Sequence, residues 1–566
     1  MKRFFLISLL PLFLLASCVK NDIPYPVVTP HIVSMTVEGV GEVGQESISQ
    51  TDRTVTLSLG ETVDLKNVKI TACKIDVENV RLSQEIVGVH DLSTPLSVVL
   101  TTYQNYPWTI TANRPIERYF TVNGQVGATF VDEANRRMIA YVRKTVSLSD
   151  ITITSLKLGP KGISTLSPSK DEMHDFSEGG YEVDVTVEYP SGNKDTEEPW
   201  KLFVEQSDKS VSVKKKNVWS KEVYLTAEGV AGEVNGFKYR EKGSIGDWTE
   251  FPESDLVYDG GQFTAHIEGL TGGTTYEFYA FTGEGSAAEM TEVDEFTTDP
   301  ERQLPNNSFE NFSLVSGADY YKWFNPACSD PESQDIWWAC GNGEGNESVS
   351  DGYGKGGKSV VKGTGSLGIV LTYPDNEDKM DDDWSVRCIS KDFVGLLACG
   401  NLFTGRFAGL EGTTGGAVNY GRPWTTRPHK LRLWMKYSAG KLMDSNLDKA
   451  PTGESVKEGD EDRCEIAVSV GNWDYKVMKG VPESPVRVNT AKGIYYNSKS
   501  QGIIAFGHIV SHSTDGWQQI EIPLEYRDTE TVPSHIIITC AASYLGDYLI
   551  GGPGSTLWVD KMELIY

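Results

Sequence analysis

The chain has 566 residues, with 79 aspartates and glutamates against 52 lysines and arginines, which gives a net charge of -27 at pH 7. A single hydrophobic core rarely extends beyond about 250 to 300 residues, so this length predicts several domains. The negative charge repels polyanions and therefore argues against nucleic acid partners and against electrostatic docking to acidic lipid.

The N-terminus has the pattern of an export signal. Lys2 and Arg3 precede an apolar run from Phe4 to Leu15, which is too short to span a bilayer. The run ends in LASC at Cys18, which resembles a bacterial lipobox, and the resemblance implies lipidation of that cysteine; an ordinary signal peptide is the alternative. We expect a signal peptide over residues 1–18, a proline-rich tether over 19–30 and membrane contact only through the N-terminal lipid.

The seven remaining cysteines are odd in number and have no spacing typical of a disulfide framework, so most are expected to be small buried hydrophobes. No Cys/His spacing of a zinc site is present.

Residues 31–210 contain two weakly similar units, 31–114 and 115–210. VDLKNVKIT in the first aligns with VSLSDITIT in the second, and each is followed by a strand-like run that ends in Pro-Trp, at Trp108 and Trp200. Short alternating strands without a long helical pattern predict two antiparallel Ig-like β-sandwiches that act as spacers, with both tryptophans in the cores.

Residues 214–299 resemble a fibronectin type III module. The resemblance rests on FKYREKG, on Trp248 and on LTGGTTYEFYAFT. It implies a β-sandwich in which Tyr276 is the corner tyrosine, with its hydroxyl bonded to backbone upstream.

The last third of the chain gathers aromatic and guanidinium side chains in glycine-rich sequence. Sugars present apolar faces between rings of hydroxyls, so their binding sites combine aromatic rings with planar donors and carboxylates. Each candidate could instead pack in the core. The candidate carbohydrate-binding residues are Trp337, Trp338, Phe403, Arg406, Tyr420, Arg422, Trp424 and Arg427.

Four motifs connect this region to a family: GNLFTGRF, GRPWTTRP, the GDY of residues 546–548 and the closing GSTLWVDKMELIY. They resemble the putative carbohydrate metabolism domain, over about 304–566, found in lipoproteins of glycan-foraging Gram-negative bacteria. The segments 306–312 and 557–564 also resemble the first and last strands of jelly-roll carbohydrate-binding modules. That second resemblance implies that Glu310 and Asp560 are ligands of a structural calcium ion.

The remaining motifs are weaker indications of function. GYGKGGKS at residues 352–359 matches the letters of a phosphate loop, but β-branched and glycine-rich sequence follows it where a helix is needed. His508 and His512 lack a third ligand nearby. Glu411, Glu465 and Asp547 are candidate carboxylates for a glycoside hydrolase, which needs a pair, and sequence spacing cannot pair them.

The sequence therefore predicts an all-β protein in which tandem Ig-like and fibronectin III-like sandwiches precede a jelly-roll domain. We expect a lipoprotein of the outer membrane, at the cell surface or on the periplasmic face, that binds glycan as an accessory in polysaccharide capture. Non-catalytic binding is favoured. A glycoside hydrolase on the same fold and a surface adhesin with protein partners are the alternatives.

Overall fold

The structure is a computed structural model that describes residues 28–44, 47–315, 319–325, 327–330, 337–345, 361–411, 415–451, 453–472, 477–478, 481–482 and 486–566. The signal peptide with Cys18, most of the tether and the GYGKGGKS segment lie outside the described residues. The predicted all-β class is confirmed, because the described elements are β-strands and short 3₁₀ helices. None of the helices in these ranges has the length and apolar character needed to cross a membrane.

Two compact units divide the chain. The first comprises residues up to 210 together with 228–233 and 260–262, and the second comprises the rest. The first unit contains two hydrophobic cores, and Trp108 and Trp200, one in each, are almost fully buried as predicted. The second unit contains the core of the fibronectin-like module and two cores of the C-terminal domain.

The first domain has one four-stranded and one five-stranded sheet. Its short 3₁₀ helix is Leu65–Asn67. Its strands are Ile32–Val37, Gly41–Glu42, Ile48–Ser49, Thr54–Ser58, Val68–Ile75, Arg81–Leu82, Gly88–His90, Leu96–Thr101 and Asn105–Asn113.

The second domain has one two-stranded and one five-stranded sheet. Its 3₁₀ helix is Lys170–Glu172. Its strands are Tyr119–Val122, Phe130–Asp132, Arg137–Arg143, Ile153–Lys157, Ser164–Ser167, Tyr181–Glu188 and Lys194–Ser207.

Neither domain is wholly antiparallel, which corrects the prediction. Strand Thr54–Ser58 runs parallel to Asn105–Asn113, and Arg137–Arg143 runs parallel to Lys194–Ser207. The chain leaves the sheet between the two members of each pair and re-enters it in the same direction. Side chains alternate in the same way in parallel and antiparallel strands, so the sequence pattern could not reveal the direction of these strands.

The third domain is a two-sheet sandwich with the expected corner tyrosine. Tyr276 is buried, and its hydroxyl accepts the backbone N–H of Thr271 at 3.0 Å. The strands are Ser212–Val218, Val223–Glu228, Asn235–Glu241, Thr249–Glu250, Val257–Asp259, Gln262–Ile267, Thr275–Thr282, Glu289–Met290 and Asp294–Thr297, with 3₁₀ helices Glu253–Asp255 and Gly285–Ala287.

The C-terminal domain packs a five-stranded sheet against a nine-stranded sheet. Its 3₁₀ helices are Thr364–Leu367, Leu447–Lys449, Thr490–Lys492 and Gly546–Tyr548. The smaller sheet has the strand order Thr372–Asp375, Ser385–Ile389, Thr556–Ile565, Lys430–Ser438 and Gln518–Pro523. The larger sheet contains Trp338–Ala339, Asn401–Leu410, Gly416–Tyr420, Arg422–Pro423, Cys464–Gly471, Val486–Asn489, Ile503–Ser511, Glu525–Tyr526 and His535–Ala541. Shorter strands are Ser313–Leu314, Tyr321–Lys322, Gly343–Gly345, Val361–Lys362, Lys391–Phe393, Leu396–Ala398, Val477–Met478 and Val481–Pro482.

The opening segment 306–312 is not a strand, contrary to the prediction. Asn306 and Phe309 have φ of 51° and 61°, which is left-handed backbone and cannot extend. The Asn306 side chain bonds both the N–H and the C=O of Asn311, so a turn forms instead.

Most of the cysteines after the signal peptide are buried, as predicted for small hydrophobic side chains. These are Cys340, Cys388, Cys464 and Cys540. Burial raises the pKa of the Cys464 thiol to about 12, so it remains a neutral packing group.

Candidate functional site

The larger sheet of the C-terminal domain has two faces of different composition, because side chains alternate along a strand. In strand Cys464–Gly471, Ile466 and Val468 pack in the core between the sheets. Glu465 and Ala467 point the opposite way and line a pocket. The outer face of this sheet is therefore where polar side chains are available to contact a ligand.

The pocket on this outer face has a volume of about 460 Å³. That volume falls within the range of about 300–1,000 Å³ typical of small-molecule sites. Its walls are largely apolar, with a few polar groups between them. The apolar and aromatic walls include Leu371, Leu397, Phe403, Phe407, Tyr420 and Tyr496.

Two carboxylates line the same pocket. Burial and the nearby charge of Glu465 raise the pKa of Asp547 to about 6. Burial also raises the pKa of Glu465, and Nδ1 of His508, 2.9 Å from its Oε1, acts in the opposite sense. The Asp547 side chain is exposed and lines the pocket, which is the position of a pocket wall and not of a core residue. The pocket is thus lined by two carboxylates with raised pKa values, of which Asp547, with a pKa of about 6, can carry a proton in mildly acidic solution.

A tight turn brings Asp547 to the pocket. The 3₁₀ helix Gly546–Tyr548 ends at Leu549, whose φ of 58° is left-handed. A Cβ on Gly546 would lie 2.5 Å from Sγ of Cys399, so only glycine allows this close approach. The GDY motif is therefore explained by packing at its glycine and by the pocket at its aspartate.

Tyrosines supply the aromatic surface of the pocket. The rings of Tyr495 and Tyr548 stack with centroids 4.3 Å apart. The hydroxyl of Tyr496 lies 2.8 Å from Oγ of Ser469, and burial raises the pKa of Tyr496 to about 12. Burial likewise raises the pKa of Tyr420 well above its usual value. These hydroxyls stay neutral and can both donate and accept hydrogen bonds.

Three of the predicted sugar-binding residues form an internal cluster instead. Trp424 has no exposed surface, and its ring meets that of Trp337 edge to face at 6.1 Å. The Arg302 guanidinium lies over Trp424 at 4.6 Å, and that of Arg422, which is buried, lies over Trp337 at 5.3 Å. The assignment of Trp337, Arg422 and Trp424 to sugar binding is corrected to packing, because a buried ring has no face to offer a ligand.

The other predicted residues separate into two groups. Trp338 is buried and donates its indole N–H to the Pro305 carbonyl at 2.9 Å, so its assignment is also corrected to packing. Phe403 and Tyr420 line the pocket, where their rings meet edge to face at 5.1 Å. Arg406 is half-buried in strand Asn401–Leu410 and is not among the lining residues.

Arg427 joins the fibronectin-like module to the C-terminal domain. It is buried and donates to Oδ1 of Asn217 at 2.8 Å, to the carbonyl of Thr529 at 2.9 Å and to the carbonyl of Val218. Its guanidinium lies 4.4 Å from the ring centroid of Trp219. The contacts with Asn217, Val218 and Trp219 join the two domains, and the bond to Thr529 lies within the C-terminal domain. The sugar-binding prediction for Arg427 is therefore corrected to a structural role.

The two predicted calcium ligands lie close enough to influence each other. Burial, together with the charges of Asp382 and Glu310, raises the pKa of Asp560 to about 6. Its two oxygens accept the backbone N–H groups of Met380 and Lys561. A buried carboxylate among like charges fits a site for a hard cation such as calcium. Within the described ranges, the pair does not belong to a group of three ligands whose atoms all lie within 4.8 Å of one another.

Sequence reasoning named Glu465 and Asp547 without being able to pair them, and it missed Tyr495 and Tyr496. It set His508 aside for lack of a third metal ligand, although His508 serves as a partner of Glu465. Alternation along strand Cys464–Gly471 could have placed Glu465 on the outer face. No short-range signal connects Glu465 with Asp547, because they meet only through the sheet.

The fold and the pocket together define the C-terminal domain as a two-sheet β-sandwich with a ligand-sized site on the outer face of its larger sheet. Residues 308–565 match the family described as "Putative carbohydrate metabolism domain". The C-terminal part of the chain is therefore similar to that family, as its motifs predicted.

No curated protein matches the chain. A putative glycoside hydrolase from Bacteroides thetaiotaomicron VPI-5482 aligns at 14% identity over 80% of this chain and 98% of its own, with a TM-score of 0.27. Another from Bacteroides vulgatus ATCC 8482 aligns at 22% identity over 46% of this chain and 96% of its own, with a TM-score of 0.30. The sialic acid binding region of a Streptococcus sanguinis SK1 adhesin aligns at 13% identity over 60% and 90%, with a TM-score of 0.15.

Proposed function

We propose that the C-terminal domain binds a glycan in the pocket on the outer face of its larger sheet. One observation carries the proposal: a single pocket is lined both by stacked tyrosines and by two carboxylates, of which Asp547 has a raised pKa. The pocket lies in a domain that matches a carbohydrate-related family. Tyrosine faces suit the apolar face of a sugar ring, and carboxylates and phenol hydroxyls suit its hydroxyls.

The proposal includes the setting of the domain. The chain is a lipoprotein anchored through Cys18, held at the outer membrane and used as an accessory in polysaccharide capture. Support comes from the lipobox-like sequence and from the carbohydrate-related family of the domain. Metabolic labelling with palmitate tests the anchor, since label that persists in Cys18→Ser would contradict it.

Replacing Tyr548 by alanine should weaken glycan binding without unfolding the domain. Tyr548 is half-buried at the pocket rim and stacks on Tyr495, so its loss removes one aromatic contact, worth about 1–3 kcal/mol or roughly 5- to 150-fold in affinity. The measurement is retention of the full chain on a glycan panel, with released sugar followed in the same sample.

Tyr103→Ala is the matched control, because Tyr103 is an exposed tyrosine of the first domain. It should leave retention unchanged. Equal retention by Tyr548→Ala and Tyr103→Ala would contradict the pocket as the binding site. An absence of retention by the wild-type chain on a broad panel would favour an adhesin that contacts protein.

Hydrolysis of the bound glycan is a second candidate function, favoured by the raised pKa of Asp547. A glycoside hydrolase needs one carboxylic acid that gives a proton to the leaving oxygen and a second carboxylate that acts on water or on the sugar carbon. Asp547, with its pKa of about 6, suits the first role, and Glu465 suits the second.

If the domain hydrolyses its glycan, Asp547→Asn should reduce product release by at least about 100-fold while retention persists, because an amide cannot donate the proton. Product release by the wild type should fall as pH rises above about 6, since deprotonation of Asp547 removes the acid. Glu411→Asn is a control outside the pocket lining. Product release that is unchanged in Asp547→Asn would exclude this mechanism.

We also propose a structural calcium ion held by Glu310 and Asp560, with backbone carbonyls completing its oxygen ligands. Calcium should raise the melting temperature of the C-terminal domain, because a ligand present at about 100 times its Kd stabilises the folded state by about 2.7 kcal/mol. Differential scanning calorimetry with calcium and with chelator measures this. Glu310→Gln should abolish the response, and Glu563→Gln, at an exposed position on the last strand, should keep it. Identical melting in calcium and chelator would contradict the proposal.

A further inference from the structure

A mixed cluster of histidine and carboxylate ligands lies at the contact between the fibronectin-like module and the C-terminal domain. One ligand atom from each of Glu222, His266 and Glu268 lies within 4.8 Å of the others. Glu222 immediately precedes strand Val223–Glu228, and His266 lies in the neighbouring strand Gln262–Ile267. Sheet pairing therefore fixes the distance between the two main ligands.

Glu222 is the centre of the cluster and is already organised for binding. It is buried, and its Oε2 lies 2.6 Å from Nε2 of His266. Its other oxygen, Oε1, lies 3.3 Å from Nε2 of His429, which belongs to the C-terminal domain. Imidazole nitrogens thus hold both carboxylate oxygens of Glu222, so the ligand is already positioned.

Both imidazoles are oriented by aromatic neighbours. The ring of His266 stacks on Tyr224, with centroids 4.1 Å apart and an interplanar angle of 8°. The ring of His429 stacks on Trp219 at 5.5 Å. Fixed ring orientation lowers the entropic cost of ligation, because the donor nitrogen already points at the site.

We propose that Glu222, His266 and Glu268 bind a divalent zinc-type ion. One imidazole and two carboxylates make a donor set suited to zinc, with a water completing a tetrahedron, whereas calcium takes oxygen ligands alone. Ligands about 2.0–2.1 Å from a tetrahedral zinc are roughly 3.3 Å apart, so the 2.6 Å contact between His266 and Glu222 would open by less than 1 Å. Binding releases to water any proton shared between Nε2 and Oε2.

Through His429, an ion bound in the module would also affect the contact with the C-terminal domain. His429 holds the second oxygen of Glu222, so an ion on the first oxygen connects the module to the C-terminal domain through one carboxylate. Zinc should therefore stabilise the contact between the two domains as well as the module itself.

The test is zinc binding by the purified full chain, measured as zinc retained per chain after dialysis and as the shift in melting temperature with added zinc. The wild type should retain one ion per chain, and Glu268→Gln should weaken zinc binding by at least about 10-fold. Glu268 is exposed, so this variant should fold normally, which far-UV circular dichroism checks.

His508→Gln is the matched control. His508 also bonds a carboxylate, Oε1 of Glu465 at 2.9 Å, but it has no third ligand in the described part of the chain. It should retain zinc like the wild type, whereas His266→Gln should lose it. Equal zinc retention by wild type, Glu268→Gln and His266→Gln, or no retention by the wild type, would overturn the proposal.

Discussion

Replacing Trp424 by alanine should destabilise the C-terminal domain by about 3–5 kcal/mol, the cost of removing a large aromatic ring from a packed core. The ring has no exposed surface, meets Trp337 edge to face and lies under the Arg302 guanidinium. The cavity left behind also removes the contacts that hold both neighbours. Hydrogen exchange followed by mass spectrometry on peptides from strand Lys430–Ser438 reports the unfolding of this domain within the full chain.

Trp434→Ala is the control for this prediction. Trp434 is only half-buried, on the outer face of the smaller sheet, where Leu433 and Met435 alternate with it and point into the core. Replacing Trp434 should lower the free energy of unfolding by less than half as much as replacing Trp424. If Trp424→Ala folds with unchanged exchange and loses only glycan retention, the packing assignment is wrong and the original sugar-binding prediction stands.

Replacing Arg427 by methionine should weaken the contact between the fibronectin-like module and the C-terminal domain by about 2–5 kcal/mol, the usual cost of truncating a buried, hydrogen-bonded charge at an interface. The substitution removes the Arg427 donor from the carbonyl of Val218. It also removes one of the two donors to Oδ1 of Asn217 and one of the two to the carbonyl of Thr529. The linker at residues 299–305 should then be cleaved faster by protease, which gel electrophoresis over time measures.

Arg432→Met provides the comparison at an exposed position. Arg432 pairs with Glu521 at 2.7 Å and with Glu563 at 3.2 Å on the surface, where such pairs contribute about 0–1 kcal/mol. It should leave the cleavage rate close to that of the wild type. Equal rates for Arg427→Met and the wild type would show that the two domains are held together by other contacts.

The class of fold could be predicted because its signals are local. Alternation in Leu431, Leu433 and Met435 marks a strand with one buried face, and the structure places those three side chains in the core. The Thr271 to Tyr276 hydrogen bond follows from a short motif for the same reason. Strand direction is not local, so the parallel pair of Thr54–Ser58 with Asn105–Asn113 was missed.

The site could be predicted only in part, because composition does not tell which side chains reach the surface. Trp424 and Arg422 have the chemistry of a sugar site and lie in glycine-rich sequence, yet both are buried. Asp547 was visible as part of GDY, but its place beside a second carboxylate depends on Glu465, which lies 82 residues earlier and reaches the pocket from a central strand. Strand pairing brings such residues together from distant parts of the chain, so sequence spacing cannot reveal the contact.

The position of Arg427 also matters for anyone who wants to express or exchange this domain. The family match begins at residue 308, but three buried partners of the C-terminal domain, Asn217, Trp219 and Glu222, lie almost a hundred residues earlier. A fragment that starts at Leu304 would present the Arg427 guanidinium and the Tyr526 ring to water. A fragment that starts at Val211 keeps them covered, so the module and the domain should be expressed together.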